Sequence, residues 1–422
     1  MPTTRRIANT LLDGWVALSA LEPLSRNFQC TGRSMARELA SLNHSDNVSS
    51  VAFSPDGSLL AAGSDDATVN LWDLAARRRL VALSGHSAFV TSVAFSPGGA
   101  LLATGSGDET ARLWDVNAHR ELTSLHGHSY PVRSVAFSHD GLLLATGSSD
   151  ATVKLWDVAA HREVGSLSGH AEEVLSIAFS PDGLLLASGS GDATVKLWDV
   201  ATRCEIASLS PKYGQVSTVA FSPDGALLAS GYLGNTVSLW DVASRREVAS
   251  LSGHSGTVGT VAFGPDGALL ASGSDDTTVR LWDVAARCEV ANLSGHSKPV
   301  WSVAFSPNAS LLASGSGDRT VKLWDVRCEG VVPRAPSERQ VAPQKARDAD
   351  EERERGAKEA AAAELQQRAK ERDASLKEDA EREQLRFDRH RAGLCIHCGT
   401  KLSLLRRMSG KDDCGHCPGR IK

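Results

Sequence analysis

Tryptophan recurs at Trp72, Trp114, Trp156, Trp198, Trp240, Trp282 and Trp324, a step of 42 residues each time. An aspartate follows every one: Asp73, Asp115, Asp157, Asp199, Asp241, Asp283 and Asp325. Of the nine tryptophans, only Trp15 and Trp301 stand outside this register. A fixed period of this length means that the chain is an array of one supersecondary unit, so the unit dictates the fold. Residues 169–210 show it: GHAEEVLSIAFSPDGLLLASGSGDATVKLWDVATRCEIASLS. VLSIAF reads as a strand, SPDG as a tight turn, LLLASGS as a second strand, TVKLWDV as a third and EIASL as a fourth. Such short apolar runs with short connections specify an antiparallel meander. Pro181 presets φ in the turn, and Gly183 accepts the positive φ that follows. A four-stranded sheet with two apolar faces cannot bury both alone. Copies stacked on either side, closing into a ring, supply the cover.

Gly-His pairs stand in register with the Trp-Asp pairs at Gly85-His86, Gly127-His128, Gly169-His170, Gly253-His254 and Gly295-His296. These units resemble the WD40 repeat family over residues 36–328. The resemblance implies an all-β fold, a seven-bladed β-propeller of four-stranded antiparallel blades around a central channel. The last unit ends on its third strand, VKLWDV (residues 321–326). ARELASL (residues 36–42) looks like the fourth-strand segments HREVGSL and RREVASL and has no blade of its own. In this family such a strand completes the final blade and latches the ring, which removes exposed sheet edges.

The family also places a buried hydrogen-bonded chain in each blade, from the Gly-His histidine through a strand hydroxyl to the turn aspartate and the indole. The full set fits five units: His86-Thr104-Asp108-Trp114, His128-Thr146-Asp150-Trp156, His170-Ser188-Asp192-Trp198, His254-Ser272-Asp276-Trp282 and His296-Ser314-Asp318-Trp324. A His/Ser/Asp trio suits a hydrolase, but an enzyme needs one site, and five equivalent trios read as architecture. Two units depart. The first has Asn43-His44, and Ala62 where a hydroxyl is expected. The fifth has Pro211-Lys212 in place of Gly-His and Gly234 in place of the turn aspartate, which predicts the loosest blade of the ring.

Among near-identical units the differing positions are informative. The third residue after each histidine position varies (Asn47, Phe89, Pro131, Glu173, Gln215, Thr257, Pro299), as does the fifth (Ser49, Thr91, Arg133, Leu175, Ser217, Gly259, Trp301). The family places contact residues on the rim formed by first strands and second-to-third turns. Phe89, Tyr130, Arg133, Leu175, Tyr232, Leu233 and Trp301 are therefore the candidate partner-binding residues, since clustered aromatics and arginine carry most interface energy. Trp301 leads the set. The competing reading is that these side chains fill the rim and channel.

Charge divides the chain: +2 over the N-terminal extension (residues 1–35), −10 over the propeller (36–328), −1 over residues 329–391 and +4 over 392–422. An acidic main body disfavours phosphate binding there. Residues 329–344, with Pro333, Pro336 and Pro343, read as a linker. Residues 345–391 are rich in Ala, Glu, Lys and Arg and read as a charged helical arm. The sparse Leu365, Leu376, Leu385 and Phe387 sustain no heptad seam, so the arm reads as a solvated spacer before a coiled coil.

In residues 392–422, Cys395-x-x-Cys398 and Cys414-x-x-Cys417 are separated by 15 residues, a tetrahedral zinc spacing. The segment resembles a zinc ribbon. Four thiolates close the shell, so the metal is structural and folds the segment with it. His397 and His416 lie inside the pairs and either could replace a cysteine. Lys401, Arg406, Arg407 and Lys411 could touch nucleic acid or an acidic protein.

No apolar run is long enough to span a bilayer; the N-terminal LLDGWVALSALEPL is interrupted by Asp13 and Glu22. Cys30, Cys204, Cys288 and Cys328 are scattered singly, unlike a secreted disulfide framework. With no secretory leader, these features point to the cytoplasm. The sequence thus predicts a monomeric, non-enzymatic scaffold that binds other proteins on its rim. The alternative is an adaptor that associates with nucleic acid through its basic tail.

Overall fold

The computed structural model describes residues 36–210 and 214–327. The N-terminal extension, Pro211 and Lys212, the linker, the arm and the four-cysteine segment lie outside the described residues. Twenty-eight strands form seven four-stranded sheets. In the fourth repeat the strands are Val174–Phe179, Leu185–Ser190, Val195–Asp199 and Cys204–Leu209, hydrogen-bonded in chain order.

Local chemistry explains each corner. In the SPDG turn the Ser180 hydroxyl donates to Asp182 Oδ1 (2.5 Å), which also accepts the Leu184 N–H (3.0 Å). Gly183 sits at φ +71°, where a Cβ would be strained. At the same end of each blade the aspartate of Trp-Asp caps the turn after the third strand: in the third repeat Asp157, opposite Leu143, accepts the Ala160 N–H at 2.8 Å through Oδ1. The second strand is buried on both faces, and its small residues let blades approach. A Cβ added to Gly189 would lie 2.6 Å from Val216 Cγ1 of the following blade, so a side chain there would wedge the seam open.

The hydrophobic core is divided into seven clusters, each at a seam between successive blades. In one, Val69, Leu71 and Leu83 of the first blade pack on Val90, Val93, Leu102 and Trp114 of the second. Each such side chain contributes on the order of 1.5–3 kcal/mol by leaving water. The seams are also stitched by a polar circuit. The inner-strand hydroxyls Ser50, Ser92, Ser134, Ser176, Thr218, Thr260 and Ser302 each accept a backbone N–H of the next blade at 2.9–3.3 Å. The last of these, Val51 N–H to Ser302, closes the circle across 251 residues.

The ring is latched as the repeat phase requires. Arg37–Asn43 pairs antiparallel with Thr320–Asp325, from Arg37 opposite Asp325 to Asn43 opposite Thr320. Glu38 meets Lys322 at 2.8 Å, the same cross-strand ion pair that Lys154–Glu163 and Lys196–Glu205 make within single repeats. Leu42, Val321 and Leu323 then join Val48, Val51 and Leu60 in the closing cluster.

Candidate interaction surface

The histidines and hydroxyls that could suggest catalysis are locked inside the blades. In the fourth blade His170 Nδ1 donates to Asp192 (2.8 Å), and its Nε2 accepts from the Ser188 hydroxyl (2.7 Å). The Trp198 indole N–H donates to the same Ser188 oxygen (2.8 Å). The chain repeats at His86-Thr104-Asp108-Trp114, His128-Thr146-Asp150-Trp156, His254-Ser272-Asp276-Trp282 and His296-Ser314-Asp318-Trp324, with every link between 2.7 and 2.9 Å. Burial outweighs the aspartate's attraction and holds all five histidines below their ordinary value, so they are neutral. Burial alone would raise the Asp192 carboxyl. Hydrogen bonds from Thr194, the Ala171 N–H and His170 outweigh it and bring the group to about 2. The hydroxyl hydrogen is committed to histidine and its oxygen to the indole. These trios brace the sheet and present no free nucleophile.

The two departing blades solve the same problem differently. In the first, Ala62 supplies no hydroxyl, and His44 Nδ1 turns to the Asn70 amide at 3.1 Å. His44 Nε2 and Trp72 Nε1 are both buried without a partner among the described residues. Burial pushes His44 down to about 4, more than the Asp66 charge restores. In the fifth, Tyr232 corrects the sequence reading. It is not on the rim: it is fully buried, in the cluster with Leu197, Val216 and Trp240. Its hydroxyl bonds Ser230 and accepts the Trp240 N–H at 3.3 Å, while Trp240 also donates to Ser230 at 2.8 Å. A phenol thus occupies the place of the missing histidine, and the fifth blade is not without a strut. The substitution looked like rim variation because Tyr232 replaces the serine found at Ser190 and Ser274, one turn residue from the surface.

The remaining candidates lie on the face carrying the Gly-His turns. The variable fifth position is a β-bulge in every first strand: the register shifts between Val132 and Ser134, between Val174 and Ser176, and between Val300 and Ser302. A bulge re-aims its side chain out of the ladder. In four blades it aims at the neighbouring blade. Where the residue carries a hydroxyl, as in Ser49, Thr91 and Ser217, it donates to a carbonyl of the next blade. Arg133 instead donates through Nε to Ser149 (2.8 Å) and through Nη2 to Glu173 of the fourth blade (3.2 Å). Leu175 and Trp301 occupy the same position half-buried, and the Trp301 ring lies over Gly317, 3.2 Å from where a Cβ would sit. Phe89 likewise covers Gly107 and is 40% exposed. Tyr130 and Leu233 are the most open, at 59% and 48%.

Comparison with known proteins places this geometry. Seven consecutive matches to the WD40 family (WD domain, G-beta repeat) cover residues 36–73, 77–115, 119–157, 161–199, 204–241, 245–283 and 287–325. The chain belongs to the WD40 family. It is also similar, at 55% identity over 40 residues, to small ribosomal subunit protein RACK1 of Medicago sativa. That match spans 10% of this chain and 12% of the relative, about one WD40 repeat.

Two features of this WD40 ring escaped the sequence reading. Leu142 and Leu184 are 65% and 63% exposed on the face opposite the Gly-His turns. The signal was available: the other units place Ser58, Ala100, Ala226, Ala268 and Ser310 there. The inter-blade role of the recurring inner-strand Ser/Thr was hidden because periodicity does not say which blade a side chain faces. Among the described residues, no cluster of His, Cys, Asp and Glu is arranged to hold a metal. No helix among them is long and apolar enough to cross a membrane.

Proposed function

We propose that this WD40 propeller is a non-enzymatic scaffold that holds protein partners on its Gly-His face. The observation that carries the reading is the exposure there of Phe89, Tyr130 and Leu233, three of the five large apolar side chains left open among the described residues. Large rings that reach a partner's pocket from a rigid rim lose little entropy on binding and act as anchors. Arg133, Ser149 and Glu173 beside them form a polar cluster across the third seam. A surface ion pair of this kind contributes only about 0.2–1 kcal/mol to the ring, so a partner's carboxylate can compete for the guanidinium. The test is a Phe89→Ala/Tyr130→Ala variant beside the wild type, with captured proteins identified and their affinities measured. Loss of the same proteins by about tenfold or more, equivalent to 1.4 kcal/mol, supports the reading if thermal unfolding is unchanged. Unchanged capture refutes it.

For the tail, the donor set supports a structural zinc ion on Cys395, Cys398, Cys414 and Cys417. Metal analysis of the full chain should find zinc that a Cys414→Ser/Cys417→Ser variant no longer retains, and equal zinc in both would refute the assignment.

A further inference from the structure

Large apolar side chains stay open at both ends of the ring. Phe89, Tyr130 and Leu233 stand on the Gly-His face, and Leu142 and Leu184 on the opposite one. Charge separates the two. On the Gly-His face, the loops leading into first strands and the turns after second strands contain twelve carboxylates against Lys212, Lys298 and Arg319. On the opposite face, the turns after first and third strands hold five carboxylates and five arginines. Most of the propeller's charge of −10 is thus gathered at one end, around one of the two apolar patches.

The excess is sharpest beside the aromatic pair. In the second, third and fourth blades those loops and turns hold six carboxylates and no lysine or arginine. Three of the six are the strut residues Asp108, Asp150 and Asp192. Burial keeps their histidine partners neutral, and hydrogen bonds hold the carboxyls below the ordinary aspartate value, so each strut carries a negative charge. The other three are Glu109, Glu172 and Glu173. Glu109 stands exposed at a turn tip, two residues beyond the Gly107 that the Phe89 ring covers. Glu172 takes on the fourth blade the place of Phe89 on the second: its Oε2 lies 2.9 Å from a Cβ built on Gly191.

The cations of these blades are already engaged. Arg133, at the bulge, is held by Glu173 and Ser149. The third-strand cations Arg112, Lys154 and Lys196 pair with Glu121, Glu163 and Glu205, and Arg112 also reaches Asp108 at 4.0 Å. Glu109 and Glu172 have no ion pair among the described residues. Open rings beside unanswered carboxylates favour one kind of side chain. An ammonium or guanidinium can lie on a Tyr or Phe face and keep a carboxylate as its counter-charge. An acidic or wholly apolar segment would desolvate the same carboxylates and return nothing to them.

We propose that the segment docked over the second to fourth blades is basic: lysine or arginine side chains of a partner protein lie on the Phe89 and Tyr130 rings and pair with Glu109 and Glu172. This charge preference rests on the Gly-His face being where partners dock, and adds what kind of chain docks there. The field of the six carboxylates also draws such a segment in, raising its association rate by about tenfold or more at low salt.

Selection from a random displayed-peptide library on the full chain tests this, with the retained peptides sequenced and their affinities measured. The variants are Glu109→Gln/Glu172→Gln, Phe89→Ala/Tyr130→Ala and, for the opposite face, Leu142→Ser/Leu184→Ser. The retained peptides should be enriched several-fold in lysine and arginine over the starting library. Their binding should weaken by about tenfold in the glutamine and alanine variants, hold in the leucine variant, and fall steeply as salt rises from about 0.05 to about 0.5 M. Peptides that need Phe89 and Tyr130 yet carry no basic excess, or that bind the glutamine variant as tightly as the wild type, overturn the charge preference and leave the docking face standing. Peptides indifferent to the alanine variant overturn the docking face and the preference with it. A library from which nothing is retained overturns the preference as well.

Discussion

Ala62→Ser places a hydroxyl in a fully buried site, which ordinarily destabilises a protein; here it should stabilise. Ala62 occupies the position of Thr104 and Ser188, whose hydroxyls each bond a histidine and an indole. In the first blade the two groups that such a hydroxyl would serve, His44 Nε2 and Trp72 Nε1, are buried and unpartnered among the described residues. An unsatisfied buried polar group costs about 1–3 kcal/mol. One hydroxyl relieves two, less the entropy of fixing its rotamer, so a net gain of about 2 kcal/mol is expected. The unfolding entropy of a ring of about 290 residues is about 0.6 kcal/mol per kelvin, which makes the gain roughly 3 °C in Tm. Calorimetry of the wild type, Ala62→Ser, Trp72→Phe and the double variant would isolate the indole's share. The gain should shrink by about half when Trp72 is phenylalanine. A neutral or destabilising Ala62→Ser, or a gain indifferent to Trp72, would refute the reasoning.

Tyr232→Phe should cost about 1 kcal/mol by urea unfolding, through loss of its hydrogen bonds to Ser230 and Trp240. Tyr232→Ser should cost about 3–5 kcal/mol through the cavity it opens, whereas a rim tyrosine would cost nothing measurable. Ala309 stands at φ +55° where six other turns carry glycine, so Ala309→Gly should raise stability by up to about 1 kcal/mol, read as a shift in urea midpoint at constant slope. Acid should weaken the ring. The six blade histidines titrate below 6.5 when folded, His44 at about 4, so the unfolded chain binds protons that the folded ring refuses. Their contribution is complete above pH 6.5 and is lost as pH falls towards the folded values, at up to about 1.4 kcal/mol per pH unit for each histidine. Below pH 3.8, Asp108, Asp192 and Asp276, held at about 2, add a second loss. A urea midpoint that stays flat from pH 7 to 5 would contradict this.

The ring was legible because its information is periodic. The 42-residue step of Trp-Asp gives the blades, and the phase difference between residues 36–42 and the last repeat gives the latch now seen in the pairing of Arg37 with Asp325. Strut membership was legible for the same reason: histidine, hydroxyl, aspartate and indole keep constant offsets. What periodicity cannot give is direction. Tyr232 and Leu233 are neighbours in sequence and both break the repeat, yet one is fully buried and the other is 48% exposed. Strand pleat sends successive side chains to opposite faces, and one residue of phase decides which. The bulge adds a second ambiguity. Trp301 and Arg133 share a position that alternation assigns to a face of the sheet, but the extra residue turns Arg133 towards Glu173 of the next blade and lays the Trp301 ring over Gly317 of its own blade.

The pattern of departures also says which interactions the ring depends on. The struts of the first and fifth blades differ from those of the other five, and one of them leaves two polar atoms unpaired. The inner hydroxyl circuit is unbroken in both: Ser50 and Thr218 still accept from Val93 and Val261, and Val51 and Val219 still donate to Ser302 and Ser176. A strut acts inside one blade, so its loss is local and a few kilocalories per mole at most. A seam hydroxyl acts between blades, and in a closed ring a seam that opens exposes two apolar faces and the edges beside them. Variation has therefore been tolerated in the struts, at the bulges and in the turn leucines. Two sets of polar residues are Ser or Thr in every blade: the threonines from Thr68 to Thr320 that open the third strands, and the inner hydroxyls that hold neighbour to neighbour. Substituting Ser302 with alanine, at the closure, should accordingly destabilise the ring more than substituting Ser314 in the same blade's strut. Unfolding midpoints in the reverse order would show that the blade, rather than the seam, limits the stability of the ring.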